Sequence, residues 1–149
     1  MARFLVPMTV HLFFRQGSEV LLLRRFRTGY EDGSYSVPAG HLDGGETVLE
    51  AGAREAREEC AVEVRDLRVA GVMHRRAPDR EQVDFFVEVP RWDGDIRNAE
   101  PDRCDDLRFF PVDRLPANVV PYVRRALSCQ DPQPWFVSYG WSDRAVPPG

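Results

Sequence analysis

Three glutamates, Glu55, Glu58 and Glu59, stand at spacings that bring them onto one face of a helix. Each residue advances a helix by ~100°, so positions i, i+3 and i+4 coincide. Like charges at this spacing repel, at a cost of a few tenths of a kcal/mol per pair. A solvated helix avoids that, or answers it with Lys or Arg at the matching positions. Hard divalent cations supply the missing compensation, because Mg²⁺ and Mn²⁺ prefer clustered carboxylate oxygens. Mg²⁺ also keeps several waters and binds through a few carboxylates together with substrate phosphates. The three residues alone suit an acidic surface equally well. The preceding stretch, GHLDGGE at residues 40–46, favours the metal reading. Its glycines let the backbone bend tightly and bring carbonyls or N–H groups close to an anion or a metal.

Residues 40–62, GHLDGGETVLEAGAREAREECAV, resemble the Nudix box, G-x5-E-x7-R-E-U-x-E-E-x-G-U. Gly40, Glu46, Arg54, Glu55, Glu58 and Glu59 match at the right spacings, Ala56 is a small version of the aliphatic position, and Val62 fits the last. Ala61 departs, standing where the family has Gly. That Gly normally lies just past the helix end in a left-handed conformation, where Ala costs roughly 1 kcal/mol unless the helix ends differently. The resemblance extends over RRFRTGYEDGSYSVPAG before the box and NAEPDRCDDLRFFPVDRLP after it, roughly Met8 to Leu127.

The resemblance implies a Mg²⁺-dependent hydrolase, with Mn²⁺ as a substitute, that cleaves a diphosphate linkage in a nucleoside triphosphate or another nucleoside diphosphate derivative. Glu55 and Glu59 are then the main metal ligands, Glu58 a further ligand or the base, and the Ala39 carbonyl a completing ligand. Arg54 orients the carboxylates without touching substrate, while Gly40 and Glu46 shape the loop. Which acid takes the proton varies in the family. Glu100, in the NAEPD loop, is the candidate by position, with Asp102, Asp105 and Asp106 as rivals. Arg24, Arg27 and Arg75 are expected on the substrate phosphates, with Arg25 and Arg76 beside them. Tyr30, Tyr35, Phe85 and Phe86 are candidate walls for the attached group, although strand aromatics more often belong to a core. His11 and His74 lack a ligand-spaced partner and read as core or edge histidines. The alternatives are a Nudix-fold nucleotide sensor that does not cut, which usually lacks box glutamates that this chain keeps, or a hydrolase of capped RNA or of a non-nucleotide diphosphate.

These residues need elements to hold them. Strands are expected over Leu5–Phe14, Val20–Arg24, Tyr35–Val37, Val62–His74 with a break near Arg65, Val83–Val89 and Leu107–Pro111. Gly40–Gly45 and residues 90–105 read as loops. Thr47 and Glu50 form a capping box for the glutamate helix. Leu49, Gly52, Ala53, Ala56 and Cys60 make its apolar stripe, small enough to lie close on a sheet. A second helix is expected over Val119–Ser128, with Pro121 in its first turn. The fold class is α+β, the Nudix α/β/α sandwich around a mixed sheet. Residues 1–149 read as a single domain with a Pro-rich tail at 131–149, part of which packs through its aromatics.

The composition, 43 % apolar and 30 % charged over 149 residues, suits one globular domain. The net charge of −4 argues against a nucleic-acid partner. All 20 basic residues are Arg, whose planar fork grips phosphate, although a high-GC genome explains most of them. Neither a signal peptide nor a membrane span is apparent. Three cysteines without CxxC spacing fit reduced thiols in the cytoplasm. The expected partner is a small-molecule nucleotide derivative, with a homodimer possible.

Overall fold

The computed structural model describes residues 2–142. In chain order its strands are β1 (Met8–Gln16), β2 (Glu19–Arg25), β3 (Tyr35–Ser36), β4 (Ala39–His41), β5 (Glu63–Arg65), β6 (Arg68–Ala77), β7 (Arg80–Val89), β8 (Arg91–Asp93), β9 (Cys104–Pro111) and β10 (Trp135–Tyr139). Its helices are α1 (Val48–Cys60) and α2 (Pro121–Leu127).

β1 organises the layers. Its side chains alternate with period 2: Val10, Leu12 and Phe14 join one core cluster, and Phe13 joins the other. A strand buried on both faces needs a layer on each side. α1 covers the first face with Ala51, Ala56 and Cys60, and α2 covers the second with Val123, Ala126 and Leu127. The result is the expected α/β/α sandwich around a mixed sheet, ordered β10-β6-β7-β1-β2-β3. β1 runs parallel to β7, and β10 runs parallel to β6. The other pairings of this sheet are antiparallel, including β2 with β9 along most of its length. On the edge away from β7, β1 pairs first with β4 through Thr9–His11 and then with β2 through Arg15–Gln16. The sheet divides at this change of partner, and Thr9 and His11 border a cleft there.

Several elements differ from the sequence expectation. Residues 39–41 form β4, where a loop was expected over Gly40–Gly45; three residues are too few to show an alternating pattern. β1 starts at Met8, leaving Phe4 and Leu5 exposed. Pro7, just before it, has no N–H to give to a ladder. On α1, Ala51 is buried and Leu49 is 37 % exposed, so the stripe is Ala51, Gly52, Glu55, Ala56 and Cys60. A charged residue therefore sits in the buried face. Thr47 caps the helix by accepting from the Glu50 N–H at 3.1 Å. Ala61 adopts the left-handed conformation itself, at φ 60° and ψ 34°, and its N–H reaches the Arg57 carbonyl. Within the expected loop 90–105, β8 pairs with β5. The packed part of the tail includes β10, whose Trp135 lies against Gly71, and Trp141, whose indole donates to the His74 carbonyl at 3.0 Å. The remainder of the tail, from residue 143, lies outside the described residues. No helix among the described residues is long and apolar enough to cross a membrane.

Candidate active site

Arg54 is the hub of the box. Its Nε and Nη2 donate to the two carboxylate oxygens of Glu46 at 3.1 and 2.8 Å, a bidentate pair. Nη2 also reaches the His41 carbonyl, and Nη1 donates to Glu55 Oε1 at 2.8 Å and to Glu58 at 3.3 Å. Glu46 also accepts from the Asp43 N–H. Hydrogen bonding by Arg54 holds the Glu46 carboxyl down to about 2, and Glu46 in turn raises the Arg54 guanidinium. One cation thus ties the Gly-rich turn, β4 and two glutamates of α1 into one unit. Gly40 completes the fit, because a Cβ there would collide with the Glu55 carboxylate.

Glu59 Oε2 accepts from the Ala39 N–H at 2.9 Å, which aims the carboxylate at β4. The end of α1 then places the opposite wall. Its last carbonyls need donors, and the 97–99 segment provides them: Arg97 N–H to Cys60 O and Ala99 N–H to Glu59 O, both at 3.1 Å. Asn98 receives the Glu100 N–H and donates to the Cys104 carbonyl. Glu100 is thereby held beside Glu59, and both line the cleft with Glu55, Glu58, Ala39 and Gly40. Its rivals lie elsewhere: Asp105 pairs with Arg24, Asp106 accepts from Tyr35 and Arg108, and Asp102 is exposed and outside the cleft lining.

Burial pushes the Glu55 carboxyl up to about 7, with the Glu58 and Glu100 charges adding and Arg54 opposing. Burial also raises Glu59 well above the usual carboxylate range, helped by Glu55, Glu100 and Glu58. Glu55 and Glu59, both raised, and the neighbouring carboxylates of Glu58 and Glu100 make a negative field that a cation relieves. Among the described residues, no three His, Cys, Asp or Glu side chains stand as a ready-made metal-binding group. The chemistry of the donor set nevertheless fits a hard divalent ion, being carboxylate oxygens beside a backbone carbonyl.

The cleft encloses about 430 Å³ and continues away from the glutamates. Arg25, Arg75, Arg80 and Arg103 border it with Tyr30 and Tyr122. Arg75, expected on substrate, is buried: its Nε donates to Asp84 at 2.7 Å and its guanidinium lies 3.7 Å over the Tyr122 ring. Arg24 and Arg27 do not border the cleft; Arg24 is spent on Asp105, and Arg27 lies over Phe26. Of the four candidate aromatics only Tyr30 lines the cleft, Tyr35 and Phe86 being core. His11 is buried, stacked on Phe86 and hydrogen-bonded to the Tyr122 hydroxyl at 2.9 Å. Burial holds it neutral, down to about 4. Sequence reasoning missed Gln82, Arg80, Arg103 and Tyr122. For Gln82 and Arg80 the signal was register, since β6 and β7 pair Arg75 with Gln82 and Ala77 with Arg80 across a short hairpin; Arg103 and Tyr122 lie outside that hairpin and carried no such signal.

The structure is thus an α/β/α sandwich whose glutamate helix, tied down by an arginine, faces a cleft bordered by cationic and aromatic side chains. The family model of the NUDIX domain matches residues 6–128, and the chain belongs to that family. The structure is similar to the MutT NUDIX hydrolase of Burkholderia pseudomallei, with a TM-score of 0.78 and 25 % identity over 84 % of this chain and 98 % of that one. The sequence is 38 % identical over 103 residues to the NAD-capped RNA hydrolase NudC of Pseudomonas entomophila, and 34 % over 129 residues to that of Pseudomonas putida. These matches cover 68 % and 78 % of this chain but only 35 % and 44 % of the relatives' length. The capped RNA in those names stands partly at odds with the expectation that nucleic acid is an unlikely partner. Nudix hydrolases generally need a divalent metal ion.

Proposed function

We propose that the chain is a hydrolase that cuts a diphosphate linkage in a nucleoside triphosphate or a related nucleoside diphosphate derivative, using Mg²⁺ or Mn²⁺. The observation that carries this reading is the convergence on one cleft of Glu55, Glu58, Glu59 and Glu100 with four arginines. Glu55 and Glu59, with the Ala39 carbonyl, would hold the metal, which supplies an activated water and neutralises charge on the leaving phosphate. Arg54 fixes the rotamers of Glu55 and Glu58 from behind and stays out of the lining. Glu100 accepts the proton of the attacking water from the wall facing α1. Arg103, next to the acids, and Arg25 and Arg80, further out, grip the phosphates. The free thiols Cys60, Cys104 and Cys129 support a reducing compartment such as the cytoplasm.

The test is separation of the products formed from nucleoside triphosphates, ADP-ribose, NAD and NAD-capped RNA with Mg²⁺: a nucleoside monophosphate and pyrophosphate from the first, and two phosphate monoesters from each of the others. Glu59→Gln is expected to lose at least ~10²-fold in turnover while keeping its fold, as when one stabilising group at a reacting centre is removed. Near-normal rates in that variant would take α1 out of the reaction. Absence of turnover for every compound, with binding retained, would favour the sensor reading.

A further inference from the structure

At the end of the cleft away from α1, one polar network is fixed almost entirely by its own members. Asp84, fully buried on β7, accepts from Thr9 Oγ1, from Arg75 Nε and Nη2, and from Gln82 Nε2. Because Asp84 accepts only, the Gln82 carboxamide must turn its NH₂ towards Asp84, which settles the position of its oxygen. Gln82 borders the cleft and is 3 % exposed, yet its Oε1 has no hydrogen-bond partner among the described residues. Buried polar atoms are almost always paired, because leaving one unmade costs its desolvation. Thr9, Arg75 and Tyr122 border the same end of the cleft, and each is engaged: Thr9 and Arg75 on Asp84, Tyr122 with His11. Gln82 Oε1 is therefore an acceptor held in place with nothing to accept from.

We infer that Gln82 is a specificity-determining residue, its Oε1 accepting from an N–H donor on the group attached to the diphosphate, an amino-substituted base or a carboxamide ring. The inference rests on the reading of the cleft as a nucleotide site. Tyr30 and Tyr122 supply flat walls for such a ring. A ligand with a carbonyl or carboxylate oxygen in place of the NH₂ sets acceptor against acceptor and is disfavoured.

Pairs in which NH₂ is replaced by O test this: ADP-ribose with its hypoxanthine counterpart, whose ring N1 also gains a hydrogen, and NAD with its nicotinic acid counterpart, which also gains a negative charge. Comparison with Gln82→Met isolates the part due to the acceptor. The first pair reports an amino-base donor, the second a carboxamide. In the unmodified protein with Mg²⁺, the NH₂-bearing member of at least one pair is expected to have a kcat/KM about tenfold higher, carried by KM, as one hydrogen bond to a buried acceptor gives. Gln82→Met, which keeps length and apolar bulk but has no acceptor, is expected to bring that ratio to near one. Calorimetric Kd values for the same pairs are measured alongside. If nothing is hydrolysed but the NH₂-bearing member binds about tenfold tighter, the hydrolase reading fails and the role of Gln82 stands. Equal kcat/KM and equal Kd within both pairs of the unmodified protein overturn the role of Gln82, whatever the variant does.

Discussion

Glu55 is a buried acid in the apolar stripe of a helix, held against Arg54 and raised to about 7 by desolvation. A carboxyl whose pKa is higher folded than unfolded stabilises the fold fully below its unfolded value. That contribution is lost as pH rises through the folded value. The window for Glu55 therefore runs from 4.5 to about 7, and the loss across it is about 3 kcal/mol for the metal-free protein. Urea unfolding with a chelator at pH 5 and pH 8 measures it. Glu55→Gln is expected to shrink the difference between the two pH values, and Mg²⁺ to restore stability at pH 8 only when Glu55 is present. A variant with the same pH dependence as the parent would show that the cost lies elsewhere. His11 has the opposite sign, since a depressed histidine withdraws stability as pH falls from 6.5 to about 4. The comparison is therefore made variant against parent and not on the raw curve. The glutamates themselves were legible in sequence because i, i+3 and i+4 is a local rule. That Glu55 is buried was not, because the buried face depends on what α1 lies against.

At the scale of elements, the end of α1 joins stability to the site. Ala61 holds a left-handed conformation that costs a non-glycine residue roughly 1 kcal/mol. The chain keeps this turn because the next residues must run back so that Arg97 and Ala99 can cap the helix and Glu100 can face Glu59. Ala61→Gly is expected to stabilise the protein by about 1 kcal/mol, raising Tm by roughly 2–4 °C at this size, with kcat unchanged. Thermal unfolding together with turnover checks both halves. A lower Tm would mean that the alanine methyl packs favourably enough to outweigh its strain. The sequence predicted the left-handed position and the loop glutamate separately. The two hydrogen bonds that connect them link residues 59–60 to residues 97–99, beyond the reach of any local pattern. β4 was hidden for a related reason: its pairing comes from β1, thirty residues earlier, and Gly40 reads as a turn glycine until the Glu55 carboxylate is seen in the space of its absent side chain.

At the scale of the whole molecule, the cleft has two ends of different origin. The acidic end comes from one continuous stretch and one loop, whereas the far end draws on β1, β6, β7 and α2. The strands of that far wall are braced from outside by β10, which runs parallel to β6 with Trp135 opposite Gly71 and Tyr139 opposite Arg75. The indole of Trp135 occupies the place of a Gly71 side chain and packs on Phe86, which stacks on His11. Support for the wall therefore runs from the tail through Trp135, Phe86 and His11 to Tyr122 and Arg75. Gly71→Ala puts a methyl into the indole, and overpacking of this kind costs about 1–3 kcal/mol. Displacement of β10 should loosen the β6–β7 hairpin that carries Arg75, Arg80 and Gln82, and leave the glutamates of α1 in place. The expected outcome is a KM raised several-fold with kcat within about twofold of the parent, and faster proteolysis near residues 131–135. A fall in kcat at constant KM would show instead that the two ends of the cleft are one mechanical unit, braced together by the tail.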